Sequence, residues 1–129
     1  MPSDFPAPIL LVVHTPADQP SYLPEVLSRA GPLPARHARH GDLLEPGVME
    51  IAPPDHHLLV VDDYLHLSRG PKENFARPAI DVLFRSAAEA RGPQVIGVLL
   101  TGMLNDGSSG LWTVQQLGGR TLVKHPEEA

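Results

Sequence analysis

Two short, near-continuous apolar runs constrain this chain more than any other feature. Ile9-Leu10-Leu11-Val12-Val13 and the stretch from Gln94 to Leu100 are far too short to cross a bilayer. They show no alternation of apolar and polar residues. Such a run suits a strand buried on both faces of a parallel sheet, where covering helices leave no side for polar residues. Helical patterns alternate with the runs. After Thr15 to Pro20, Ser21 caps a helix carrying Tyr22, Leu23, Val26 and Leu27, with Pro24 in its first turn and Gly31-Pro32 as its stop. Arg77 to Phe84 opens a second helix, with Pro78 at the first helical position, Ile80, Leu83, Phe84 and Ala87 along one face, and Gly92 as its end. A Gly-rich loop from Thr101 to Gly110 leads into a short helix over Leu111 to Leu117. Gly118-Gly119 stop it, and Thr121-Leu122-Val123 reads as a further strand. The predicted class is α/β, a doubly wound, mostly parallel sheet.

One insertion interrupts that pattern. A polar stretch from Ala35 to Gly47 precedes Val48 to Ala52 and the turn Pro53-Pro54-Asp55. His57 to Val61 and Tyr64 to Leu67 then form two β-prone runs about Asp62-Asp63, which predicts an antiparallel hairpin. With 42% hydrophobic and 19% charged residues among 129, the chain has the balance of one globular domain. The 15 Pro and 11 Gly imply short connections. A net charge of -5 without a Lys/Arg cluster argues against a nucleic-acid surface. No Cys is present, which removes disulfides, thiolate nucleophiles and thiol zinc sites. No basic segment precedes the first apolar run as a signal peptide requires, so membrane insertion is not expected and a cytoplasmic location is the default.

Ligand and catalytic sites in open parallel sheets form beyond the carboxyl ends of the strands. His14 directly follows the first apolar run, and Asp106 lies in the loop leaving Gln94 to Leu100. If the two strands are parallel, both side chains reach one rim. An imidazole oriented by a carboxylate is the base-and-orienter half of a hydrolytic triad. Each residue also has an ordinary structural use: a histidine at a strand end is commonly a hydrogen-bonding group, and Asp106 can cap the helix that follows it. Gly102 and Gly107 have phosphate-loop spacing, but Ser108 stands where that loop needs lysine, so a nucleotide is not expected. Amides of the same loop can instead stabilise an oxyanion. His37, His40, His56, His57, His66 and His125 lack metal-ligand spacing, and neither metal nor cofactor is expected.

Four segments in order resemble the catalytic domain of the chemotaxis protein-glutamate methylesterases, the CheB family. They are Val12-Val13-His14-Thr15-Pro16; Glu45-Pro46-Gly47 with Ile51 to His57; Arg77 to Phe84; and Leu100 to Gly107. The resemblance covers nearly the whole chain. It implies a carboxylic ester hydrolase with a Ser-His-Asp triad, acting on glutamate methyl esters of chemoreceptors and also deamidating receptor glutamines. His14 matches the family's triad histidine, Asp106 its triad aspartate, and Met103 the position whose backbone amide serves the oxyanion hole.

The family's nucleophile belongs to a Gly-x-Ser-Thr/Ala-Gly-Gly turn before the histidine strand, and these 129 residues contain no such turn. Only Ser3 precedes His14, and Ser108 and Ser109 are not in a nucleophile turn. Phe75-Ala76 replaces the Arg-His often found before Arg77, and Leu104 replaces a common glycine. The expectation is therefore one partial methylesterase-type domain over 1–129, nearly inactive as it stands. Met1 to Pro8 resembles an internal family segment, which favours a truncated reading frame. The alternative is a non-catalytic receptor- or partner-binding module on the same fold. An uncovered sheet edge or core surface predicts self-association.

Overall fold

The computed structural model describes residues 6–14, 21–100 and 106–124. Its architecture is α/β, with parallel strand pairs and one antiparallel pair. Strand β1 (Ile9–Leu11) pairs in parallel with β3 (Met49–Ile51), which pairs in parallel with β2 (Ala35–His37), giving the order β1-β3-β2. Helix α1 (Leu23–Ala30) makes the crossover from β1 to β2. Pro24 sits in its first turn as expected, where the missing N–H costs nothing. Ser21 is not the cap its sequence position predicts: the helix starts one residue later, Tyr22 is its N-cap without a side-chain bond, and the Ser21 hydroxyl only accepts from Leu23 N–H at a long 3.4 Å. Ser28 ties the helix to β2, its Oγ accepting from Ala35 N–H and donating to Ala35 C=O.

Strand β2 lies in the polar stretch from Ala35 to Gly47. Its polarity has a partner: Arg36 stands opposite Glu50 in the register, and the guanidinium donates to both oxygens of that buried carboxylate at 3.1 and 2.9 Å. A buried charge held by a bidentate cation is admissible inside a sheet.

The expected hairpin forms. Strand β4 (His57–Val61) pairs antiparallel with β5 (Tyr64–Ser68), and Asp62 takes the left-handed φ of 53° at the turn. Helix α2 (Ile80–Arg91) packs across this hairpin, with Leu58, Val60, Leu65 and Leu83 at the centre of the core. Ser86 joins the two, accepting from Val60 N–H and donating to Leu83 C=O. The helix begins two residues later than Pro78 predicts: Ala79 is still extended, and Pro78 is buried ahead of the first turn. That delay aims the free amides of Ile80 and Asp81 at the opposite loop.

Strand β6 (Ile96–Leu99) pairs in parallel with β7 (Arg120–Val123), connected through helix α3 (Ser108–Gln116), which starts earlier than its apolar residues suggest. Helices α2 and α3 meet closely at Gly110, where a Cβ would stand 2.6 Å from Phe84 Cβ. The face of β6 turned from α3 is open: Ile96, Val98 and Leu100 are exposed, as is Leu122 on β7. An apolar cleft of about 320 Å³, lined by Leu10 of β1, Ile96 of β6, and Val60, Phe84 and Val95, lies between the two parallel groups. Among the described residues, no helix is long and apolar enough to cross a membrane.

Candidate active site

The two chemistry-bearing positions singled out from sequence meet. His14 Nε2 lies 2.7 Å from Asp106 Oδ2, although the residues are 92 positions apart. His14 reaches the site from just beyond β1 and is a quarter exposed, whereas Asp106 is 2% exposed. An ionised carboxylate can only accept, so Nε2 carries the proton and donates it to Asp106. Nδ1 is then the ring nitrogen that Asp106 does not engage.

Asp106 does not cap the helix that follows it. It caps α2 instead: Ile80 N–H donates to Oδ2 at 2.6 Å and Asp81 N–H to Oδ1 at 2.9 Å. Asp81 returns the arrangement to α3, its Oδ1 accepting from Gly107 N–H at 3.0 Å and Gly110 N–H at 2.6 Å. Each helix start is thus satisfied by an aspartate at the start of the other, with negative charge at the positive ends of both dipoles. Gly107 makes the closure possible. Its φ is 121°, and an added Cβ would lie 2.9 Å from Leu99 Cδ1.

Asn74 completes the cluster, its Nδ2 donating to Asp81 Oδ2 at 2.8 Å and to Asp106 Oδ1 at 3.0 Å. Burial pushes the Asp106 carboxyl up, but donation from the Ile80 and Asp81 amides, His14 and Asn74 outweighs it and holds the group below the usual aspartate value. The loop carrying Asn74 is secured at both ends. Arg77 donates through Nε and Nη2 to Asp55 Oδ1, and Arg85 of α2 donates to both oxygens of Glu73. The Arg77 guanidinium, with Arg69, lowers the Asp55 carboxyl despite its partial desolvation.

Met103 and His125 lie outside the described residues. Several other histidines serve the backbone. His40 Nδ1 accepts from Leu67 N–H, His56 Nδ1 lies 2.8 Å from Pro54 C=O, and buried His57 takes Ala79 N–H on Nδ1 while donating from Nε2 to Pro71 C=O. Among the described residues no group of three or more His, Cys, Asp or Glu could hold a metal ion. Asn74 and Asp81 were not foreseen as site residues. Asp81 was visible only as an acidic first-turn residue, and nothing local marks a side chain that caps a neighbouring helix.

Known proteins are similar to this chain over nearly all of its length. The CheB methylesterase family profile matches residues 1–129. A protein-glutamate methylesterase/protein-glutamine glutaminase 2 of Methanosarcina mazei is 38% identical over 131 residues, covering 95% of this chain and 36% of that protein. A protein-glutamate methylesterase/protein-glutamine glutaminase 3 of Anaeromyxobacter dehalogenans is 42% identical, covering 96% of this chain and 37% of that protein. The chain thus spans little more than a third of these curated relatives. The crystal structure of the Thermotoga maritima CheB methylesterase catalytic domain superposes with a TM-score of 0.87 at 32% identity, covering 99% of this chain and 75% of that one. From its full-length profile match and from this structural likeness, the chain belongs to the CheB methylesterase family.

Proposed function

We propose that His14 and Asp106 are the general base and its orienting carboxylate for hydrolysis of glutamate methyl esters on chemoreceptors. The observation carrying this reading is the 2.7 Å contact between His14 Nε2 and the buried, ionised Asp106. With Nε2 committed, a serine hydroxyl gives its proton to Nδ1 as its oxygen attacks the ester carbonyl. The imidazolium formed is stabilised by Asp106. It returns the proton to the departing methoxide, methanol leaves, and water repeats the sequence on the acyl-enzyme. A side-chain amide in place of the ester makes ammonia the leaving group, which is glutamine deamidation. The Met103 amide, by its match to the family motif, is the proposed oxyanion donor.

The nucleophile is the element that these residues do not carry in family form. The test therefore joins a family strand with its Gly-x-Ser-x-Gly-Gly turn ahead of Met1 and measures methanol released from methylated receptor. Release should depend on the added serine and fall at least about 10³-fold with His14→Ala. Unchanged release from the His14→Ala protein would overturn the reading. Tight receptor binding with no methanol, even with the serine turn in place, is the outcome expected of a binding module.

A further inference from the structure

We infer that Asn74 and Asp81 are positioning residues, which lock the Asp106 carboxylate in the orientation that holds the His14 ring. The inference rests on the base-and-orienter reading of His14 and Asp106 and extends it to two residues that act through Asp106.

Two aspartates, 3% and 2% exposed, sit side by side here, each with an oxygen within hydrogen-bond reach of the same Asn74 nitrogen. Among the described residues no Lys or Arg pairs with either one. Adjacent buried carboxylates repel, so the cluster depends on neutral donors placed between and around them. Oxygen by oxygen, the accounting is close to complete. Asp81 Oδ1 takes Gly107 and Gly110, Asp81 Oδ2 takes Asn74, Asp106 Oδ1 takes Asn74 and Asp81 N–H, and Asp106 Oδ2 takes Ile80 N–H and His14. The Asn74 amide has a single workable orientation, because its carbonyl would face two acceptors if the group were turned over.

The backbone bears the same reading. Asn74 and Phe75 have φ of 53° and 61°, consecutive left-handed residues that each cost about 1 kcal/mol relative to an ordinary conformation. Phe75, 99% exposed, recovers nothing by packing. The strain is held by paired backbone bonds between Glu73 and Ala76 and by Arg85 gripping Glu73, and its visible product is the Asn74 side chain pointing into the carboxylate pair.

The test reads the His14–Asp106 bond directly in protein labelled with ¹⁵N-histidine. A proton held between Nε2 and a carboxylate resonates downfield and exchanges slowly with water, and His14→Gln identifies which signal it is. His57 Nε2–H, bonded to Pro71 C=O at 2.8 Å in a buried setting, gives an internal report that the fold is intact. Asn74→Ala removes the bridging donor outright. Asp81→Asn keeps an oxygen for the Gly107 and Gly110 amides but places an amide nitrogen against the Asn74 nitrogen, so that Asn74 must withdraw or turn its carbonyl toward Asp106. In both variants the His14 signal should be lost to exchange, by a factor of about ten or more, while the His57 signal stays. Retention of the His14 signal in Asn74→Ala with His57 intact overturns the positioning role. Should Asp81→Asn lose both signals through unfolding, Asn74→Ala decides alone. Absence of the His14 signal from the unsubstituted protein would instead refute the base-and-orienter reading on which the role depends.

Discussion

Replacing Asp106 with alanine removes the carboxylate proposed to orient His14 and, in the same stroke, the cap of a helix in another part of the chain. Two backbone amides, Ile80 N–H and Asp81 N–H, lose their acceptor, and the Asn74 amide loses one of two. Losing a helix cap costs about 1 kcal/mol, and a buried donor left unpaired about 1–3 kcal/mol more. Relief from desolvating one carboxylate and from its repulsion with Asp81 offsets part of this. The net expectation is a loss of about 2–3 kcal/mol near neutral pH. With a urea slope of about 2 kcal/mol per M, the unfolding midpoint should fall by roughly 1–1.5 M. Asp106→Asn should do no better, since whichever way the amide turns, its nitrogen meets either Ile80 N–H or Asp81 N–H.

The pH dependence has a definite sign. The folded-state pKa of Asp106 lies below its unfolded value of 3.8, so the stabilisation is complete well above 3.8 and disappears as pH falls through the folded value. The gap between the parent and Asp106→Ala should therefore be flat from neutrality to about pH 5 and close progressively below about pH 4. Urea titrations followed by circular dichroism at several pH values measure it. A midpoint shift under about 0.3 M at neutral pH, or a gap that does not change on acidification, would refute the capping argument.

Other outcomes are equally concrete. Gly110→Ala should destabilise by at least about 2 kcal/mol in the same titration, because the new methyl meets Phe84 Cβ at 2.6 Å and Asp81 Oδ1 at 3.0 Å. Phe75→Gly should raise stability by about 0.5 kcal/mol, the relieved left-handed strain exceeding the greater freedom that glycine gives the unfolded chain. Ser86→Ala should cost about 1–2 kcal/mol, since Val60 N–H loses its acceptor between β4 and α2. The exposed face of Ile96, Val98, Leu100 and Leu122 should drive self-association that sedimentation velocity detects and that Val98→Lys reduces; a monodisperse monomer at high concentration would count against it.

What the sequence made legible was decided by whether a residue's role is local. His14 and Asp106 stood out because each is a polar residue in the segment that leaves an apolar strand, where open parallel sheets place their sites. The hairpin of β4 and β5 was legible from its two apolar runs. Strand β2 was not, because Arg36 reads as surface until Glu50, fourteen residues on, supplies its partner. Pro78 was a fair marker of a helix start, yet Pro78 and Ala79 are buried ahead of the helix, Ala79 is still extended, and the first turn is delayed to Ile80. From sequence Asp106 reads as an orienting carboxylate, with capping of the helix after it as the ordinary alternative, and Asp81 reads only as one residue of the helix that Arg77 to Phe84 opens. Each in fact serves the other's helix, an exchange between residues 25 apart that no local pattern records.

That exchange of caps bears on how descendants of such a protein are to be interpreted. A lineage that abandoned hydrolysis would still need Asp106, because without it α2 begins on bare amides. Retention of the aspartate is consequently weak testimony that a relative still hydrolyses anything. Among the described residues His14 hydrogen-bonds to Asp106 alone, so fewer of the fold's bonds depend on it than on Asp106. If His14 is the base proposed above, loss of the histidine with both aspartates retained is the mark by which lost activity should be recognised.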